Sequence, residues 1–117
     1  MSSAAFYHAV SFDFNYYSVS GGNSSASEAD SVLTWVPAGC TASQLSVFSR
    51  QSNTISVMLR QGTPGSMADT GLGCSVASGS SCVATGSVAI AAGNFVDFSV
   101  SGASGTAAGV WVALSCN

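Results

Sequence analysis

Large apolar side chains recur at every second position along most of this chain, which is the period of a β-strand with one buried face. The first example is residues 4–16, where the even positions hold Ala4, Phe6, His8, Val10, Phe12, Phe14 and Tyr16. This alternation predicts one long strand, or two consecutive strands, near the N-terminus. The segment SVSGGNSSAS then interrupts the pattern.

The same alternation returns in six later segments: residues 32–36, 43–50, 54–61, 87–91, 94–101 and 110–116. The side chains predicted to point inward are Leu45, Val47, Ile55, Val57, Leu59, Val96, Phe98, Val100, Val112 and Leu114. Turns rich in Gly, Ser and Pro separate the segments, and no helical period is evident. The pattern predicts a single all-β domain over residues 1–117, an antiparallel β-sandwich or jelly roll of about eight to nine short strands.

Several apolar residues fall out of phase with the predicted inward face: Tyr7, Leu33, Trp35 and Trp111. A strand in a sandwich has one buried face, so these groups are exposed, covered by loops or buried against another subunit. We predict the last arrangement. His8, the only histidine, is in phase with apolar neighbours and is interpreted as a core or interface residue, and it completes the predicted subunit interface.

The four cysteines predict two disulfides. A three-residue turn at residues 77–79, with Gly79 in the left-handed conformation, would place Cys74 opposite Cys82 on neighbouring strands. Opposed strand residues lie about 4.5–5.5 Å apart at Cα, which a disulfide spans; two buried free thiols are the alternative. Pairing of the remaining Cys40 and Cys116 would tie the last strand to an early one.

The composition limits the classes of partner. Charged residues make up 6% of the 117 residues, against roughly 25% in ordinary soluble proteins, and the net charge is -3. Arg50 and Arg60 are the only basic residues, so the chain has no basic surface for nucleic acid or anionic lipid. So weak a charge favours self-association.

The cysteines and the hydroxyl-rich composition favour an oxidising, extracellular location. The segment MSSAAFYHAV has no basic stretch followed by an apolar run, so no signal peptide is visible. Residues 70–96 carry no charge, but Gly, Ser and Thr interrupt them every few residues. No helix of about 20 apolar residues can be drawn there, and membrane insertion is not expected.

Groups suited to catalysis are few. The chain has one histidine, scattered carboxylates, no G-x-S-x-G motif and no C-x-x-C motif. We therefore expect no enzymatic activity, no cofactor and no metal. Glu28 and Asp30 form one close acidic pair in a Ser-rich loop, where a solvated turn is expected; a calcium site usually needs six or more oxygen ligands, and cation binding by this pair is left open.

A resemblance to a known family rests on five segments: WVPAGCTASQLSVFSRQ, TISVMLRQG, LGCSVASGSSCVA, SVAIAAGNFVDFSVSGASG and GVWVALSCN. Together they resemble the C-terminal jelly-roll modules, related in shape to complement C1q and tumour necrosis factor, of bacterial collagen-like and other surface or fibre proteins. Asn94 stands where the AAGD turn of the family often has Asp. The resemblance implies a homotrimer that buries one sheet of each subunit, a structural cap for a fibre, and no catalysis, although no Gly-X-Y repeat precedes the domain.

The predicted function is therefore a non-catalytic self-assembly module of an extracellular fibre or cell-surface appendage. One alternative is an open-ended filament in which residues 1–20 pack on, or complete the sheet of, the next subunit. Another is a module that binds surface glycans through aromatic stacking platforms: Tyr7, Tyr16, Tyr17, Trp35 or Trp111.

Overall fold

The computed structural model describes the backbone of residues 3–117 and the side chains from Phe6 onward. The strands are β1 Ser3–Val10, β2 Tyr16–Tyr17, β3 Ser24–Ser25, β4 Thr34–Trp35, β5 Cys40–Ser49, β6 Ile55–Thr63, β7 Ser66–Val76, β8 Ser80–Ile90, β9 Phe95–Ser101 and β10 Ala108–Cys116. One 3₁₀ turn, Asp30–Val32, precedes β4. No helix in residues 3–117 is both long and apolar enough to cross a membrane.

The strands form two antiparallel sheets. Sheet A has the order β1-β10-β5-β8, and sheet B has the order β3-β2-β9-β6-β7, with β4 also paired to β9. The chain changes sheet between β1 and β2, β4 and β5, β5 and β6, β7 and β8, β8 and β9, and β9 and β10, which is jelly-roll winding. The predicted all-β sandwich is confirmed, with ten strands rather than eight to nine. β2 and β3 have two residues each, which is too few to show alternation, whereas β4 lies within the predicted segment 32–36.

The core lies between the sheets and is built by the alternation that the sequence shows. Every predicted inward residue of β5, β6, β9 and β10 is buried. Complete burial of such a side chain contributes about 1.5–3 kcal/mol relative to leaving it exposed. Val32 and Val36 are also buried, while Trp35 between them is exposed, as the alternation predicts.

The N-terminal segment departs from the prediction of a shared inward face. β1 ends at Val10, and Phe12 and Phe14 are 62% and 41% exposed. Residues 11–15 form a turn that carries the chain from sheet A to sheet B, so the alternation does not continue through them. Tyr16 is half-buried and Tyr17 is buried instead; Ala4 lies outside the described side chains.

The side chain of Tyr17 stabilises the turn at residues 11–15. Its hydroxyl donates a hydrogen bond to the Phe14 carbonyl at 2.7 Å and accepts one from the Ser11 N–H at 3.2 Å. A single side chain of β2 therefore holds both ends of the turn. The hydroxyl of a buried tyrosine requires such a partner, and the turn supplies it.

A second buried polar group, Gln51, joins three segments. Its carboxamide oxygen accepts hydrogen bonds from the backbone N–H and the hydroxyl of Ser104, both at 3.0 Å. Its amide nitrogen donates to the carbonyl of Val10 and, at 3.4 Å, to that of Thr106. Gln51 thus ties the end of β1 to the loop between β9 and β10.

Both predicted disulfides are present, but Cys74–Cys82 occupies a different place from the one predicted. Gly79 has φ +69° and closes the turn between β7 and β8, as expected. However, β7 is the edge of sheet B and β8 is the edge of sheet A, so this bond joins the two sheets rather than two paired strands. Cys40–Cys116 links the neighbouring strands β5 and β10 within sheet A.

Replacement of each disulfide by two alanines tests their relative contributions. Sequence separations of 76 and 8 residues predict losses of about 4.5 kcal/mol for Cys40–Cys116 and about 2.5 kcal/mol for Cys74–Cys82 in the chain-entropy model. Urea denaturation of the two double variants measures both losses. A larger loss from the Cys74–Cys82 variant would contradict the expected order.

Candidate functional site

The outer face of sheet A carries a row of exposed aromatic side chains. Tyr7 on β1, Trp111 on β10 and Phe48 on β5 lie directly opposite one another in register. The Trp111 ring centroid is 5.1 Å from that of Tyr7 and 5.8 Å from that of Phe48, both at tilted angles. These three residues, which we call the aromatic row, are between 42% and 53% exposed.

Gly109 allows the rings to lie against the sheet. A Cβ at this position would come within 2.8 Å of the Tyr7 ring and 3.1 Å of the Trp111 ring. The two rings therefore lie directly over the backbone of Gly109, and a side chain at this position would displace them. Gly109 precedes Trp111 by two positions on β10 and shares its outward side.

A hollow of about 350 Å³ lies beside the aromatic row. Phe48, Trp111 and Val83 line its sides, and Ser46 and Ala113 lie between them. Val83, on the edge strand β8, is 59% exposed. The hollow and the row form one apolar surface across all four strands of sheet A.

This surface contains no ionisable carboxylate or ammonium group among the described outward-facing side chains of sheet A. Those side chains include Tyr7, Ala9, Thr41, Gln44, Ser46, Phe48, Ser81, Val83, Thr85, Ala89, Trp111, Ala113 and Ser115. Arg50 follows the end of β5 and lines a separate hollow with Phe48, Ser78 and Gly79. Another apolar surface can therefore cover the face without desolvating a charge.

The predicted interface residues do not all belong to this surface. Tyr7 and Trp111 do, but Trp35 lies on β4 of sheet B, where it is 60% exposed and opposite Phe95. Leu33, just before β4, is half-buried. The predicted interface residues therefore lie on two different sheets, because β4 is paired to β9 of sheet B and not to any strand of sheet A.

His8 lies on the inner side of β1, and its prediction as an interface residue is corrected. The side chain is 4% exposed, and Nε2 donates a hydrogen bond to the Ser18 carbonyl at 2.9 Å. Its ring centroid is 5.2 Å from that of Tyr17. Burial lowers the pKa of His8, and the hydrogen bond to Ser18 offsets this only in part. A buried neutral imidazole with a backbone partner acts as a core residue.

A second cluster, of charged groups, surrounds Arg60 on sheet B. Arg60 on β6 lies opposite Asp97 on β9 and Asp69 on β7. Its Nε and Nη2 donate to the two carboxylate oxygens of Glu28 at 2.8 and 2.9 Å, and Nη1 donates to Asp69 Oδ1 at 2.6 Å. Nη2 also donates to the Met67 carbonyl at 3.1 Å.

Glu28 therefore does not form the solvated acidic turn that the sequence suggested. Its side chain is 16% exposed and accepts hydrogen bonds from Nε and Nη2 of Arg60, whereas Asp30 is exposed. In the part of the chain that the structure describes, no three His, Cys, Asp or Glu side chains are grouped closely enough to hold a metal ion.

Asp97 is the unusual member of this cluster. It is fully buried, and neither carboxyl oxygen receives a hydrogen bond from a described donor. Burial, and then the hydrogen bond with Glu28 and its negative charge, raise the pKa of Asp97 to about 8. Burial also acts to raise the pKa of Glu28, but hydrogen bonds from Arg60 and Asp97 outweigh it and leave that pKa below its usual range.

Sequence reasoning missed Phe48, Val83 and the cluster around Arg60. Phe48 is out of phase with Leu45 and Val47, so the signal that identified Tyr7 and Trp111 was present there too. The cluster had no such signal, because Glu28, Arg60 and Asp97 are far apart in the chain and meet only through strand pairing and a loop.

No family model matches the chain, and no curated protein matches it. Among solved structures, one described as "Structure of infectious bursal disease virus Gx strain" is similar with a TM-score of 0.38 and 9% sequence identity. The match covers 97% of this chain and 33% of that chain, so this chain spans about a third of its length.

Replacement of Arg60 by methionine is expected to destabilise the fold by about 3 kcal/mol, because it removes the cation from partly buried carboxylates. Urea denaturation at pH 7 measures the change. Arg50→Met is the matched control: Arg50 is exposed and has no ion pair among the described residues, so its change should stay within about 0.5 kcal/mol. Equal losses from the two variants would contradict the structural role of Arg60.

The buried His8 predicts a loss of stability in acid. The unfolded chain takes up a proton at His8 near pH 6.5 while the folded chain, with its lower pKa, does not. The contribution is therefore complete above about pH 6.5 and is lost as pH falls towards the folded pKa. Free energies of unfolding of wild type and His8→Gln at pH 7.5, 6.5 and 5.5 test this; a difference that is independent of pH would contradict it.

Proposed function

We propose that this protein is a non-catalytic self-assembly module of an extracellular fibre or cell-surface appendage, and that copies associate through the outer face of sheet A, most simply as a homotrimer. The observation that carries the proposal is the aromatic row with its adjoining hollow. Three large aromatic side chains and Val83 lie exposed on one uncharged face.

The size of the face suits a protein interface. Four strands about 4.8 Å apart, each with about nine residues rising 3.3 Å, present roughly 600 Å². A standard interface buries about 800 Å² on each partner. Exposed apolar side chains that adjoin one another and are bordered by polar residues mark interaction sites, and aromatic residues are enriched where interfaces are most deeply buried.

A second copy of this chain is the favoured occupant because of charge. The chain has 6% charged residues and a net charge of -3, so like copies repel one another weakly. The resemblance to trimeric jelly-roll modules, in which one sheet of each subunit is buried against its neighbours, favours three subunits. The two disulfides are consistent with an oxidising environment and support an extracellular location.

The N-terminal strand favours a closed assembly over a filament formed by strand exchange. β1 pairs along all eight residues with β10 of its own chain. Exchange of β1 between copies would have to break this pairing and expose the inner positions Phe6, His8 and Val10. A glycan ligand on Tyr7 and Trp111 is the other candidate occupant, and Tyr17 cannot contribute to it because it is buried.

The mass of the particle tests the proposal. Light scattering after size-exclusion chromatography should give three times the 11.6 kDa of the chain over a hundredfold range of concentration. Trp111→Ser, which interrupts the aromatic row, and Val83→Lys, which places a charge beside the hollow, should both give monomers. Both positions are exposed, so the circular dichroism spectrum of each variant should remain that of the folded protein.

Trp35→Ser is the matched control, since it removes a tryptophan that is 60% exposed, against 42% for Trp111, but lies on sheet B, and it should leave the trimer intact. A wild-type protein that is monomeric at every concentration would refute self-assembly. Polymers of indefinite length in electron micrographs would support the filament, and a glycan that binds wild type but not Trp111→Ser would indicate a ligand platform in place of an interface.

A further inference from the structure

The carboxyl group of Asp97 lacks any partner that would stabilise its charge. Asp97 is fully buried on β9, and no donor among the described residues reaches its oxygens. Arg60 is directly opposite in register, but its guanidinium hydrogens go to Glu28, Asp69 and the Met67 carbonyl. An ionised carboxylate buried without donors is strongly disfavoured, so the neutral acid is the form that fits this position.

Glu28 faces Asp97 from a different element. It belongs to residues 26–33, the loop between β3 and β4, and both of its carboxylate oxygens accept hydrogen bonds from Arg60, which lies directly opposite Asp97 in register. The charged groups around Asp97 are therefore Glu28 from this loop, Arg60 on β6 and, beyond Arg60, Asp69 on β7. Two adjacent carboxyl groups cannot both ionise without repulsion, whereas a shared proton makes one the donor and the other the acceptor.

We propose that Asp97 and Glu28 share one proton, and that this proton fastens the loop of residues 26–33 onto the outer face of sheet B as a pH-sensitive latch. The Asp97 O–H donates to the Glu28 carboxylate, and Arg60 holds that carboxylate from the other side. Loss of the proton places a second negative charge beside Glu28, and the loop opens so that water reaches Asp97.

The remaining attachments of the loop are consistent with opening as a unit. Asn23 Nδ2 donates to the Ser31 carbonyl at 2.8 Å in an exposed position, and Val32 is the buried apolar anchor. Apart from the 3₁₀ turn, the loop has no regular structure. Its polar connections to sheet B are the bonds of Glu28 with Arg60 and an exposed hydrogen bond from the Ser27 N–H to the Ser25 hydroxyl of β3 at 3.3 Å.

The direction of the pH effect follows from linkage. With the loop closed, Asp97 keeps its proton up to a pKa of about 8; with the loop open, Asp97 faces water and its pKa returns to about 4. Opening therefore releases one proton between these values. The ratio of open to closed loops should rise about tenfold for each pH unit from about 4 to about 8, and should level off above.

Hydrogen exchange of the loop amides tests this latch. Protection factors of residues 26–33, corrected for the intrinsic pH dependence of exchange, should fall by about a hundredfold between pH 5 and pH 7. Asp97→Asn, which is neutral at every pH and keeps a donor, should abolish this dependence. Asp69→Asn is the matched control, because it removes another carboxylate bound to Arg60 and should leave the dependence in place.

A protection factor of the wild-type loop that does not change between pH 5 and pH 7, or a dependence that persists in Asp97→Asn, would overturn the latch. Carbon-13 NMR titration of the Asp97 carboxyl in the wild-type protein decides the matter if the variant does not fold. A midpoint near pH 8 supports the shared proton, and a midpoint near pH 4 refutes it.

Discussion

The alternation of side chains between the two faces of each strand is the constraint on which this structure depends. Each sheet can bury one face in the common core, and the period of two then dictates which residues face outward. The face that buries Val110 and Val112 in the core necessarily presents Trp111 to the outside. The candidate interface on sheet A is thus the reverse side of the core and not an independent addition to the fold.

Most of the buried polar side chains form hydrogen bonds with backbone atoms near the ends of strands. Gln51, Tyr17 and His8 all bind backbone atoms in the segments that carry the chain out of regular structure. The hydrogen bonds that strands satisfy by pairing are replaced there by side chains. Asp97 is an exception, because it is buried in mid-strand and its neighbour Arg60 is already occupied by Glu28 and Asp69.

The two sheets differ in how they treat their outer faces. Sheet A leaves the aromatic row uncovered and uncharged, whereas on sheet B the loop of residues 26–33 binds Arg60 through Glu28 and the neighbouring Asp97 is buried. A surface that binds copies of itself benefits from the absence of charge, since no ion has to be desolvated. A face closed by its own loop can instead accommodate a buried acid whose ionisation is coupled to the loop.

Local pattern determined the sandwich, the inward residues of β5, β6, β9 and β10, the left-handed Gly79 and the pairing of Cys74 with Cys82, because these depend on residues close in the chain or on a period of two. The pairing of Cys40 with Cys116, 76 residues apart, followed only because these two cysteines remained. The turn at residues 11–15 was not predicted, because Phe12 and Phe14 continue the alternation of apolar residues seen in β1. The hydrogen bonds of Tyr17 and the pairing of β2 with β9 nevertheless place the chain in sheet B. Tertiary structure decided that Cys74–Cys82 joins the sheets, that Trp35 and Trp111 lie on different faces, and that Glu28, Arg60 and Asp97 meet. Strand order and loop placement are set by contacts between residues distant in the chain, and no periodicity along a sequence records which strands become neighbours.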